Sequence, residues 1–365
     1  MPVALPALLA LIAAPPAGLV DAHTHISPQS TERALEIFDE VGIDWALNLS
    51  GLWPGGPLEA NLEAARETGR LLVSTNLPWG LAQRRRDFPQ IAARLLKTAA
   101  FMGARCLKIE KALGLQVLHP DGHRLAVDDP WLDPVWQTAG AIGLPVVIHT
   151  ADPEAFWLPI DENNERLAEL SAHPGWSYYG RDVPPFESLL AELMRVVARH
   201  PETIFVAVHF GNRAEDPAWV GEQLDRYPNL FVDIAARIPE VGRHRAEAVR
   251  ALFIKHQDRI LFGTDLGVSG PEFLMLGSFG EEPNQRSEVA PFFAAHRRWL
   301  QTRDTLPSPT PIQGDWSIHG LGLPQPVLQK IYVKNAVRIY GPPPAKAKGW
   351  RLRPPYFRLS SGPEQ

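Results

Sequence analysis

The chain has one cysteine, Cys106, in 365 residues. No disulfide can form within it, and no thiolate cluster can hold a metal. Any metal it binds must sit among nitrogen and oxygen donors. A lone cysteine suits either side of a membrane, so the redox compartment stays open. A basic stripe is also lacking, and the formal net charge is −5. That balance argues against nucleic acid or an anionic membrane surface as the main partner. No apolar run is long enough for membrane insertion: residues 3–14 are apolar but too short to span a bilayer. Small residues at Ala13, Ala14 and Ala17 follow that stretch, as in a secretory signal, yet no Lys or Arg precedes it. Residues 1–17 therefore read either as an export signal or as a short capping segment, and cytoplasmic and exported locations both stay open.

What is present is globular. A hydrophobic share of 45% and a charged share of 21% allow a large core. The 36 prolines are about twice the usual share and point to stiffened loops. Eight short apolar segments rich in β-branched residues recur, at 18–26, 45–51, 71–77, 105–111, 145–150, 204–210, 230–235 and 260–264. Their near-continuous hydrophobicity is that of parallel strands buried on both faces. Amphipathic stretches lie between them, at 31–41, 91–102 and 189–200, and 327–340 closes the series before Gly341 and three prolines. This alternation predicts an α/β fold, one (β/α)8 TIM barrel over 18–341, with extended loops after strands five and eight and a tail at 342–365. The loops, 152–186 and 266–326, follow strand carboxyl ends and so read as lids; the second is mostly Gly, Pro and polar residues.

The sequence Asp21-Ala22-His23-Thr24-His25 ends strand one, and alternation puts both imidazoles on one face. His149 ends strand five, His209 strand six and Asp265 strand eight. Taken singly, each histidine could be structural and Asp265 a helix cap. Together these five residues fall at the carboxyl ends of four strands or just beyond, the face where barrels build their sites.

With these residues in view, the chain resembles the amidohydrolase superfamily, and within it the amidohydrolase-related branch of metal-dependent hydrolases and decarboxylases. The matching pieces are Val20-Asp21-Ala22-His23-Thr24-His25, Pro145-Val146-Val147-Ile148-His149, Val208-His209-Phe210-Gly211-Asn212 and Ile260-Leu261-Phe262-Gly263-Thr264-Asp265, with Lys334-Asn335-Ala336 and Ile339-Tyr340-Gly341 behind them. The resemblance implies one divalent metal ion, zinc first and manganese or iron next, held by His23, His25, His149 and Asp265. It implies catalytic roles for His209 and Asp265, with His209 transferring a proton or holding developing charge. Lys108 stands on strand four, where binuclear members carry a carboxylated lysine; its setting, Cys106-Leu107-Lys108-Ile109-Glu110-Lys111, looks more like the related branch and favours one ion. An unmodified Lys108 could bind a substrate carboxylate or pair with Glu110 or Asp233. Arg213 and Arg237, just past strand ends, could clamp an anion or lie on the surface. Tyr178, with Trp53, Trp79 and Trp157, could line an aromatic pocket or form loop cores.

The implied activity is hydrolysis of a C–O or C–N bond of a small, carboxylate-bearing substrate. Non-oxidative decarboxylation is the alternative, and spacing does not separate the two. A deoxyribonuclease reading fits poorly, because strand four offers Lys108 and Glu110 in the wrong pattern. A barrel keeping only a structural metal is disfavoured by a sixth polar candidate at the mouth. The partner is a small molecule, with a homodimer left open.

Overall fold

The computed structural model describes residues 18–346; the segment 1–17 and most of the tail after Pro342 lie outside the described residues. Eight strands form the barrel: β1 (Val20–Ile26), β2 (Trp45–Asn48), β3 (Leu71–Thr75), β4 (Cys106–Ile109), β5 (Val146–Ile148), β6 (Phe205–Ala207), β7 (Leu230–Asp233) and β8 (Ile260–Leu261). Each pairs in parallel with the next. The ring closes where Ala22 donates to the Phe262 carbonyl and Asp265 to the His23 carbonyl, both at 2.9 Å. The fold is the TIM barrel that the alternation predicts.

Helices cover the outside. The first, Thr31–Val41, buries Ala34, Ile37, Phe38 and Val41 and stops at Gly42, whose left-handed φ of 74° suits glycine. Inside, Val20, Leu47, Leu72, Cys106, Val147, Val206, Phe231 and Leu261 form a separate apolar cluster with Ala336 and Tyr340. The carboxyl-terminal helix Asn335–Tyr340 thus seals the amino end of the barrel, leaving the polar layer above it as the site.

Two expectations need correction. The region 266–326 is not mostly irregular. It begins with a hairpin, β9 (Leu266–Ser269) and β10 (Phe273–Leu276), whose first strand runs parallel to β1. It then forms the helix Val289–Gln301, which buries Phe292, Phe293, His296, Trp299 and Leu300. A second hairpin, β11 (Thr305–Pro307) with β12 (Ser317–His319), completes it. Trp299 stands edge-on to Phe253 of the barrel helix Ala246–Lys255, 5.6 Å between centroids. Val289–Gln301 therefore fills the place of the eighth barrel helix; of 327–340, which closes the series, the first part packs in the outer core and Asn335–Tyr340 forms the floor. The apolar spacing of that helix was present; prolines and glycines on both sides obscured it. Strand six is also shorter than 204–210. The chain leaves the sheet at Val208 because the His209 amide donates to Asp233 Oδ1 (2.8 Å) rather than along the ladder.

A helix that is part of the wall, and not a loose lid, must carry stability. Replacing fully buried Trp299 with alanine should cost about 3–5 kcal/mol in urea denaturation. The control Phe101→Ala, at a residue 86% exposed, should stay within about 0.5 kcal/mol. Equal costs for the two would show that the helix is not docked.

Candidate metal centre

The site is built on strained backbone. Among the described residues, the non-glycine residues with positive φ are Leu52, Ala151, His209, Phe210, Asn212, Ala236 and Asp265. All seven lie just beyond the carboxyl ends of barrel strands. Each such residue costs roughly 1–2 kcal/mol, so the fold must hold them there, and strain of this kind collects at functional sites. Asp265 (φ 62°) and His209 (φ 55°) are among them. Gly263 is needed for a different reason: a Cβ there would lie 2.9 Å from His23 Cβ.

The donors converge. His23 Nε2 and His25 Nε2 each lie 3.4 Å from Asp265 Oδ1. That is long for a hydrogen bond, yet it is about the separation of two donors 2.1 Å from one tetrahedral ion. His23, His209 and Asp265 place one donor atom each within 4.8 Å of one another. The rings of His149 and His209 stand 4.5 Å apart. His149 Nε2, Asp265 Oδ1 and Lys108 Nζ are buried without a hydrogen-bond partner. Orphaned groups of this kind cost about 1–3 kcal/mol each, and one cation among them would satisfy the imidazole and the carboxylate. The residues therefore fit a divalent metal, and nitrogen with carboxylate donors suits zinc, manganese or iron alike. This donor group includes His209, which sequence reasoning reserved for proton transfer. His149 Nε2 lies 3.6 Å from Asp152 Oδ1.

Neighbours set the tautomers. His23 Nδ1 donates to Asp233 Oδ2 (2.8 Å) and His209 Nδ1 to the Ala235 carbonyl (2.9 Å). With both Nδ1 atoms donating, each Nε2 presents its lone pair to the centre. His25 Nδ1 meets Ser50 Oγ at 2.7 Å. Burial drives the His25 and His209 imidazoles well below the ordinary range, helped by His23 and Lys108 beside His25 and by His149 and Arg237 beside His209. Burial brings His149 down to about 3 against the opposing pull of Asp152. These rings are neutral at pH 7 and can ligate without first losing a proton. Burial raises the Asp265 carboxyl and lowers the Lys108 amine, each effect offset by opposite charges nearby.

A small cavity of about 170 Å³ opens above His149, His209 and Asp265. Both insertions wall it: Phe156, Arg166, Glu169 and Trp176 from the first, Met275, Ser278 and Gln313 from the second. Three cations face it, but two are matched. Lys111 pairs with Asp152 (2.6 Å), and buried Arg166 with Glu169 (2.7 Å) and with Glu240. Buried Arg237 donates to the Ala236 carbonyl (2.7 Å) and shows no carboxylate partner among the described residues.

Other expected residues stand elsewhere. Arg213 pairs with Glu187 and lies over Phe186 and Trp219, away from the cavity. The Tyr178 hydroxyl donates to Asp152 Oδ2 (2.8 Å) and its ring packs on Trp157, so it braces Asp152 from behind. Trp79 donates to Glu110 (3.2 Å) and Trp157 to the Pro184 carbonyl (2.9 Å). None of Trp53, Trp79, Trp157 and Tyr178 lines the cavity; the aromatic wall is Phe156 and Trp176. Sequence reasoning missed Ser50, Lys111, Asp152, Arg166 and Glu169. Lys111 and Asp152 sit just past strand ends, a signal that was available. Arg166 and Glu169 lie in a stretch without periodicity, where only an i,i+3 pair of opposite charges marks them.

Two measurements follow. Ser50→Ala should weaken metal binding by about 10–100-fold in competition with a chelator; unchanged affinity would remove Ser50 from the support of His25. In the metal-free protein, His149 is protonated below about pH 6.5 when unfolded but only near 3 when folded. The unfolded state then binds more protons, so the stabilisation is complete above that ordinary value and is lost as pH falls toward 3. Between pH 6 and 4 the urea midpoint should drop, and His149→Asn should flatten the slope by about 1 kcal/mol per pH unit.

No curated protein matches the chain in sequence. Solved structures share its architecture. An uncharacterized TIM-barrel protein from Bordetella bronchiseptica is 15% identical, with a TM-score of 0.50 over 88% of this chain and 98% of that one. A dihydroxybenzoic acid decarboxylase from a Polaromonas species, with manganese and 2-nitroresorcinol bound, is 14% identical, with a TM-score of 0.49 over 88% and 96%. A probable 2-pyrone-4,6-dicarboxylic acid hydrolase from Acinetobacter baumannii, with citric acid bound, is 10% identical, with a TM-score of 0.49 over 89% and 99%. At this identity the Bordetella bronchiseptica protein speaks for a shared fold alone, and the other two likenesses, below a TM-score of 0.5, carry no argument. The decisive likeness is one of sequence family: the amidohydrolase model matches residues 74–341, well over half the chain, and the protein belongs to that amidohydrolase family.

Proposed function

We propose that the protein is a metal-dependent hydrolase cleaving a C–O or C–N bond of a small, carboxylate-bearing molecule. One observation carries the reading: His149 and Asp265, two of the expected ligands, and the unmatched Arg237 guanidinium face the same small cavity. A divalent ion, zinc first and manganese or iron next, held by His23, His25, His149 and Asp265, would supply Lewis acidity and lower the pKa of a water.

The chain's own groups supply the rest. Arg237 offers a planar pair of donors to the substrate carboxylate, and its burial makes that pairing strong. The Asp265 carboxyl, made more basic by burial, takes a proton from the attacking water. His209 Nε2 holds a lone pair that can receive that proton and pass it to the leaving group. Phe156, Trp176 and Met275 keep bulk water away. Lys108, buried and without a hydrogen-bond partner, offers its amine to a substrate oxygen.

Non-oxidative decarboxylation is the second reading, because Arg237 would grip the same kind of substrate and the same acid could protonate carbon once CO₂ leaves. Products separate the two. Incubation of the metal-loaded protein with small lactones, amides and aromatic acids in ¹⁸O-water should incorporate label without releasing CO₂. Release of CO₂ or bicarbonate would shift the assignment to the lyase. Arg237→Met should raise KM for carboxylates about 10–100-fold while leaving neutral analogues unchanged. His209→Asn should retain metal and lose about 10²–10⁴ in kcat. Full activity in that variant would end the role given to His209.

A further inference from the structure

The long segment between β4 and the helix Asp133–Ala141 carries a second group of donors, outside the barrel mouth. His119-Pro120-Asp121-Gly122-His123 forms a tight turn. Leu118 and Arg124 make an isolated antiparallel bridge at its base. The His119 amide donates to the His123 carbonyl and the Gly122 amide to the His119 carbonyl, both at 2.9 Å. Gly122 takes φ +92°, which lets the chain reverse. The turn sets the two imidazoles face to face, 4.7 Å between centroids and 19° between planes. Both Nδ1 atoms point at a single oxygen, Asp121 Oδ1, with His119 at 3.0 Å and His123 in closer contact. His119 Nδ1 is shut away from solvent and lacks an aligned hydrogen bond. Trp131 packs on that ring, 4.6 Å between centroids and 68° between planes.

We propose that His119, Asp121 and His123 form a second, independent site for a divalent transition-metal ion, with the two Nδ1 atoms and a carboxylate oxygen as ligands. Two imidazoles and one carboxylate select Zn²⁺, Ni²⁺ or Cu²⁺ over Mg²⁺ and Ca²⁺, which want oxygen shells. The three donors lie within 4.8 Å of one another before any ion arrives, so little ordering cost remains. Asp121 and His123 side chains are 49% and 55% exposed, so water completes the shell and the ion exchanges freely. Asp129, whose Oδ2 is 3.9 Å from His123 Nε2, stands where a water could link it to the ring's far side. An ion held there would staple a segment whose first residues, Glu110 and Lys111, lead from β4 to the cavity wall.

The test uses protein whose barrel site is already filled, titrated with Zn²⁺ at pH 7.5 by calorimetry. The wild type should take up one further equivalent, more weakly held than the first. His119→Asn/His123→Asn should lose that equivalent, Asp121→Asn should weaken it at least tenfold, and barrel metal content should not change. Cu²⁺ in the same position should show electron paramagnetic coupling to two nitrogens, reduced to one in His119→Asn. No second equivalent in the wild type, or one that survives in the double variant, would overturn the proposal.

Discussion

The seam between β1 and β8 decides whether a site exists at all. Strand one brings His23 and His25, and strand eight leads to Asp265. They meet because the chain's first and last barrel strands hydrogen-bond to each other. Asp21 reinforces the junction. Fully buried, its carboxylate accepts from the His23 amide (3.1 Å), the Thr264 amide (3.1 Å) and the Thr264 hydroxyl. Burial pushes this carboxyl up to about 7, against the pull of those donors. The missing Cβ at Gly263 lets the two strands approach where the ligands stand. An ordinary side chain there would part the strands and spread the donors.

Above the seam, one carboxylate organises two elements. Asp233 accepts from His23 Nδ1 through one oxygen and from the His209 amide through the other. The first bond aims a ligand; the second pulls strand six out of the sheet and sets the unusual backbone at His209. Ligand orientation and local strain thus share a cause. Leaving the His209 amide without a partner would cost free energy of the same order as the strain itself.

The barrel strands were legible because strands buried on both faces read as unbroken apolar runs, and Val146-Val147-Ile148 or Leu71-Leu72-Val73 fit little else. The mouth was legible in outline, since His23, His25, His149 and Asp265 sit at ends of such runs. The helix Val289–Gln301 was not, because its apolar stripe lies inside a region whose prolines and glycines suggest loops. The charged wall was hidden for a different reason. Arg166 is matched by Glu240, which lies in the short helix Ile238–Arg243 beyond β7, and no local pattern announces a pairing that only the closed fold creates. Aromatic residues misled: Tyr178 looks like a substrate contact in sequence, but packing turns its hydroxyl onto Asp152.

The closure also dictates an order of events during synthesis. His23 leaves the ribosome early, and Asp265 follows only after most of the barrel has been made. At about 5–20 residues per second the interval is of order 10–50 s. Throughout it, the free edge of strand one and apolar lumen residues such as Val20 and Leu47 lack their final neighbours. The Tyr340 plug arrives later still. Nascent chains of this protein therefore pass through a long window of exposed strand edge, in which chaperone capture competes with aggregation.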